Sequence, residues 1–181
     1  MDRYIARDPK TGLPLQIGER GIPGHVDEAY RAPQGHWDAI KHFDIISLCN
    51  GSIQALEVRW KETPQLVSRA DGIRALPRVM RSDSDAVQEQ LKLALSDINP
   101  EIRVSALFSL PYCALVEADE LFEHLHELLD DIDPLVRKSA SKCLEIVSPV
   151  FPSATEEILT QELRSSNINR RKPAYNALKE M

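Results

Sequence analysis

Few residues in this chain belong to the types that do chemistry, and their spacing does not suit them for it. The five histidines are His25, His36, His42, His124 and His126. His124 and His126 lie two apart in a helical pattern, so their rings diverge by about 200° and cannot share a metal ion. Neither HExxH nor CxxC occurs. His36 and His42 flank Trp37 and Phe43, which leaves room for a small site there and nowhere else among the histidines. The glycines match no phosphate-binding loop and there is no GxSxG, so neither a nucleotide cradle nor a hydrolase serine is indicated. Cys49 follows Leu48 in an apolar run and Cys143 holds a position taken elsewhere by Ser109, so both read as small core residues. Asp130, Asp131 and Asp133 are clustered carboxylates, but they sit where a turn is expected. The expectation is a protein that is not an enzyme, with no metal and no cofactor.

The elements that must position any site follow from composition. The chain has 181 residues, 43% hydrophobic and 28% charged, enough to build a core. Seven glycines and 6% aromatics argue against a β-sandwich or barrel. No apolar run approaches the ~20 residues of a bilayer span. The N-terminal residues are polar, without the pattern of a secretory signal. Cys49, Cys113 and Cys143 form an odd set without a close pair, which suits reduced thiols. A cytoplasmic, membrane-free setting is expected.

Charge is uneven along the chain. Residues 1–82 carry a net +2, residues 83–135 a net −11, and residues 136–181 a net +3, within a total of −6. The central acidic block is either a solvated helix face or a surface that steers a basic partner. Residues 1–36 hold five of the seven glycines and four prolines, which is incompatible with a regular helix. This segment reads as an irregular N-terminal arm. Its turn chemistry allows a small hairpin over residues 3–17, and residues 25–31 allow a short helix. From about Trp37 the pattern is helical, so a single all-α domain is expected over residues 37–181.

An internal repeat decides the architecture. The run from Asp97 to Leu110 aligns with the run from Asp131 to Leu144 at an offset of 34, with seven of fourteen positions identical. The same offset carries Arg137 to Arg171, Ala140 to Ala174 and Leu144 to Leu178. Upstream it carries Arg103 back to Arg69 and Leu110 to Leu76. The preceding helices repeat as well, with Leu91, Leu125 and Leu159, then Leu95, Leu129 and Leu163. Each unit reads as a helical hairpin. In one, Ala118 to Asp130 is the first helix, Asp133 is an N-cap, Pro134 is the first helical position, and the second helix ends before Pro149. One such hairpin cannot bury its own apolar stripe, so neighbours must stack.

An aspartate in the inter-helix turn, Val or Ile before Arg six residues later, Ala three further on and Leu four beyond that resemble the HEAT repeats. Asp97 with Arg103 and Asp131 with Arg137 fit this pattern. The 34-residue period suits the compact bacterial kind. It equals the tetratricopeptide period too, but that family's Trp, Gly and Tyr positions are missing. The resemblance covers roughly residues 45–181. It departs at Gly72, where Ala is the rule, and at the last turn, where Ser165 replaces Asp and Arg170 stands at an apolar position. The resemblance implies a short right-handed α-solenoid of about four hairpins. It also implies a ladder of hydrogen bonds and ion pairs through Asp97, Arg103, Asp131, Arg137 and Arg171.

A helical wheel leaves two rows of second-helix residues pointing outward: Ala70, Val104, Lys138, Lys172, and Arg74, Phe108, Lys142, Asn176. In the HEAT family second helices line the concave surface, so this face would be basic, with Val104, Phe108 and Tyr112 as an apolar centre. Glu117, Asp119, Glu120, Glu123 and Glu127 fall mainly on a first helix, away from that face. Phe108 is either an anchor for a partner or is tucked against a neighbouring element such as the arm. The expected function is a non-catalytic protein–protein interaction module, an adaptor, regulator or cognate inhibitor. The partner-binding residues would be Arg74, Val104, Phe108, Tyr112, Lys138, Lys142, Lys172 and Asn176. Two alternatives come from the same resemblance: a nucleic-acid-binding protein like the HEAT-like DNA glycosylases, and an enzyme like the bilin lyases. The net charge of −6 and the two tryptophans, both outside the clear repeats, weigh against the former, and no distinctive residue supports the latter.

Overall fold

A computed structural model describes residues 33–80, 82–113, 118–148 and 152–180. The hairpin expected over residues 3–17, the helix expected over 25–31, and Glu117 lie outside the described residues, as do the side chains of Asp119 and Glu120. The described chain is mostly helical. A 3₁₀ turn at His36–Ala39 leads into α1 (His42–Cys49), and α2 (Arg69–Ala75) continues into a 3₁₀ turn at Leu76–Val79. Then come α3 (Ser84–Leu95), α4 (Pro100–Ser109), a 3₁₀ turn at Leu110–Tyr112, α5 (Ala118–Leu128), α6 (Pro134–Val147), α7 (Pro152–Leu163) and α8 (Ile168–Glu180).

The all-α expectation needs one correction. Between α1 and α2 the chain forms an antiparallel hairpin of β1 (Ala55–Trp60) and β2 (Thr63–Ser68). Its inward side chains are Val58 and Val67, both buried, while Glu57 and Arg59 face water, the alternation of a half-buried strand. Lys61 and Glu62 make the two-residue loop with φ of 48° and 65°. Both values lie in the left-handed region that a tight hairpin turn demands. Pro64 faces Arg59, next to the closing pair Trp60 and Thr63. There the ladder asks for no N–H, so the proline is tolerated.

The helices pair along the chain, α1 with α2, α3 with α4, α5 with α6 and α7 with α8. The second members also pack in succession, α2 on α4, α4 on α6 and α6 on α8. Local chemistry starts these helices where they start. The Asn99 Oδ1 accepts from the Glu101 N–H at 2.9 Å, and the Asp133 Oδ1 accepts from the Leu135 N–H at 2.8 Å. In each case a proline follows at the first helical position, where its missing N–H costs nothing. Leu91, Ala94, Leu107, Leu125, Ala140 and Leu144 are among the side chains that fill one continuous core. One repeat position of the second helices holds small residues, Gly72, Ala106, Ala140 and Ala174, all buried. Gly72 departs from alanine for a steric reason. A Cβ there would lie 2.8 Å from the Leu48 Cβ and 3.3 Å from the Cys49 nitrogen, so α1 and α2 approach too closely for any side chain.

Candidate functional site

The inter-helix turns are tied by arginine. Arg103, at the start of α4, is nearly buried. Its Nε and Nη2 donate to the two carboxylate oxygens of Asp131 at 2.9 and 2.8 Å, across to the next unit's turn. Its Nη1 donates to the carbonyls of Asp97 and Ile98 at 2.7 and 3.1 Å, closing its own turn. Arg69 repeats the arrangement one unit earlier, with Nη1 on the Asp97 carboxylate and Nε on the Cys49 carbonyl at 2.8 Å. Partial burial raises the Asp97 carboxyl. The Asn99 N–H, the hydrogen bond from Arg69 and the charges of Arg69 and Arg103 outweigh it and hold the group below its ordinary range. At Asp131 burial again raises, and the Arg103 fork, the Asp133 N–H and the charges of Arg103 and Arg137 lower it further than burial lifts it. Two planar, charge-assisted rungs therefore join three successive turns.

The next rung is built differently. Ser165 stands where an aspartate would be, and Arg137 keeps only the carbonyls of its own turn, Asp131 at 2.7 Å and Ile132 at 3.1 Å. Arg170 makes the cross-link instead. Its guanidinium holds the buried Glu162 in a fork, with Nε to Oε2 at 2.6 Å, and reaches the Asp130 carboxylate at 3.2 Å. The Glu162 hydrogen bond is the main reason the Arg170 guanidinium holds its proton more firmly than usual. Arg171 is exposed and makes no side-chain hydrogen bond or ion pair among the described residues. The offset of 34 points to Arg171, but the working residue is its neighbour, which no periodicity marks.

The outward rows of the second helices divide into a covered and an open part. At the covered end, Ala70 is buried and Phe108 packs edge-on against Trp37, with ring centroids 5.4 Å apart. Arg74 lies over both rings, 5.5 Å from Trp37 and 6.0 Å from Phe108. Trp37 is held in place by its neighbours. His36 Nε2 meets the Asp71 carboxylate at 2.8 Å, and Arg78 donates to the carbonyls of Trp37 and Ile40 at 3.2 and 2.8 Å. Phe108 is thus tucked against the segment that precedes α1, and Val104 beside it is half-buried. At the open end, Lys138, Lys142, Lys172 and Asn176 are exposed, and Lys142 pairs with Glu145 on its own helix at 2.7 Å. Tyr112 is half-buried between the two parts. Burial chiefly, with Cys143 nearby, raises its hydroxyl against the lowering effect of Lys142.

Six exposed acidic side chains lie on the first helices of the last three pairs. Asp85 and Glu89 of α3, Glu123 and Glu127 of α5, and Glu156 and Glu157 of α7 are all exposed. Cys49, Cys113 and Cys143 are buried free thiols. Burial pushes the Cys49 thiol up to about 12 and raises the other two also, which makes all three poor nucleophiles while the chain is folded. Among the described residues no three His, Cys, Asp or Glu side chains converge to hold a metal ion, and no helix is long and apolar enough to cross a membrane. Trp37 and Glu162 are not marked by the repeat: Trp37 reaches Phe108 from outside it, and Glu162, eight positions before Arg170, stands where the earlier units have Leu128 and Ala94. Comparisons with protein-family models, with curated proteins and with solved structures gave no match to this chain.

Proposed function

We propose that the chain is a short right-handed α-solenoid of HEAT-like hairpins that works without catalysis, in the cytoplasm, as a protein–protein interaction module. The observation that carries this reading is the pair of arginine–aspartate rungs, Arg69 to Asp97 and Arg103 to Asp131. They hold successive second helices side by side as one wall, a surface suited to an extended partner. The open part of that wall presents Lys138, Lys142, Lys172 and Asn176, with Tyr112 at its margin. Six exposed carboxylates sit on the first helices rather than on these rows, so charge favours approach of an acidic partner surface to the second helices. The covered part, with Phe108 under Trp37, gives that face a fixed aromatic boundary. An adaptor, a regulator and a cognate inhibitor all use such a face.

The test is a charge reversal of the open part. A Lys138→Glu, Lys172→Glu double variant is compared with the parent chain in capture of partners from lysate, with circular dichroism as the control on folding. Loss of the captured proteins with the fold intact supports the reading, and unchanged capture counts against it. Duplex DNA titrated at low salt gives flat fluorescence anisotropy on this reading; a salt-sensitive rise would favour a nucleic-acid groove instead.

A further inference from the structure

On a helical wheel the ladder arginine and the residue four positions on share the side that meets the following unit. Those pairs are Arg69 with Ile73, Arg103 with Leu107, Arg137 with Ser141, and Arg171 with Tyr175. The first two pairs are filled. Ile73 and Leu107 are each 1% exposed, and their arginines grip the next turn's aspartate. On α8 the same side is open. Tyr175 is 60% exposed and Ile168 at the helix start is 66% exposed. Arg171 makes no side-chain hydrogen bond or ion pair among the described residues, and Lys179, one turn beyond Tyr175, is exposed as well.

We infer that this side of α8 is an interaction surface for a further helical hairpin whose inter-helix turn presents an aspartate to Arg171. The surface continues the interface that already joins α2 to α4 and α4 to α6. Tyr175 and Ile168 supply the apolar contact, an amphipathic ring and a branched side chain that burial would stabilise. The positive charges of Arg171 and Lys179 select a partner turn of opposite sign. The inter-helix turns of a second copy do not meet this need, because Asp97 and Asp131 are already held by Arg69 and Arg103. The inference is independent of the outward face proposed above, since Lys138, Lys142 and Lys172 point elsewhere on the wheel.

The experiment supplies such a hairpin. A copy of residues 114–147 appended directly after Met181 places its aspartate 28 positions beyond Arg171, the separation of Arg103 from Asp131. The readout is maleimide labelling of a Tyr175→Cys variant, with the three native thiols buried. The appended hairpin is expected to slow labelling roughly tenfold, and Arg171→Ala is expected to restore much of the rate. Labelling equally fast with and without the appended copy overturns the inference, whether or not the copy folds. So does labelling of the unextended Tyr175→Cys chain as slow as that of its native thiols, because the side is then already covered. Protection that Arg171→Ala leaves unchanged removes the aspartate from the partner's description.

Discussion

Replacing Arg103 with alanine is the most decisive perturbation of the rungs. The side chain is 11% exposed and its partner Asp131 10%, so solvent screens the pair little. The substitution removes two bonds to a carboxylate and two to carbonyls, and leaves Asp131 with the Asp133 N–H at 2.9 Å. Breaking one side of a buried pair costs about 3–5 kcal/mol, most of it from the charge left behind. Arg137→Ala loses two carbonyl bonds from a half-exposed side chain and the smallest of the charge effects on Asp131, about 1 kcal/mol in all. The expected gap between the variants is therefore about 2–4 kcal/mol, or a difference in Tm of roughly 4–16 °C for a chain of this length. The assay is urea unfolding followed by circular dichroism, with an unchanged m-value confirming that the same surface is exposed. The acid limb provides a second reading. Asp131 ionises more readily folded than unfolded, so its contribution is complete above the unfolded carboxylate value and fades as pH falls through the lower folded value. Arg103→Ala should flatten that limb. If the two variants unfold within about 0.5 kcal/mol of each other, the reasoning that separates a buried charged rung from a turn closure is refuted.

Other substitutions test the packing. Gly72→Ala is expected to destabilise by about 1–3 kcal/mol, because the added methyl meets Leu48 and the α1 backbone; the same urea titration reads it. Ser109→Ala should cost about 1–2 kcal/mol, since its hydroxyl donates to the Ile73 carbonyl at 2.7 Å in the core. Ser105→Ala should be neutral or stabilising, because its buried hydroxyl has no hydrogen-bond partner among the described residues. The three cysteines should resist a thiol reagent at neutral pH until urea unfolds the chain, and fast labelling of any of them under native conditions would contradict their burial.

What could be read in advance follows from the range of the interactions. The offset of 34 marks Arg69, Arg103, Asp97 and Asp131 because each unit repeats the same local geometry. The capping of Asn99 and Asp133 is visible for the same reason: a side chain bonds its own backbone two residues on. The hairpin at 55–68 was hidden. Its turn is Lys61-Glu62 rather than Asn-Gly, so the residue types do not announce the left-handed backbone they adopt. Trp37 on Phe108 and His36 on Asp71 join residues 71 and 35 apart, a contact that no spacing encodes. The use of Arg170 in place of Arg171 is equally silent, because it depends on Glu162 lying one turn of chain back, in a helix whose period gives it no special place.

The bond from Arg69 to the Cys49 carbonyl has a bearing on how this chain can change. Nineteen residues separate α1 from α2, against four between α3 and α4, yet the arginine clamps the end of α1 as its counterpart clamps a short turn. The added length costs only about 1.3 kcal/mol in closure entropy, two to three doublings at ~0.6 each. With the clamp bearing the geometry, that junction behaves as a splice point, where evolution or a protein engineer can exchange one excursion for another while the helices on either side stay seated.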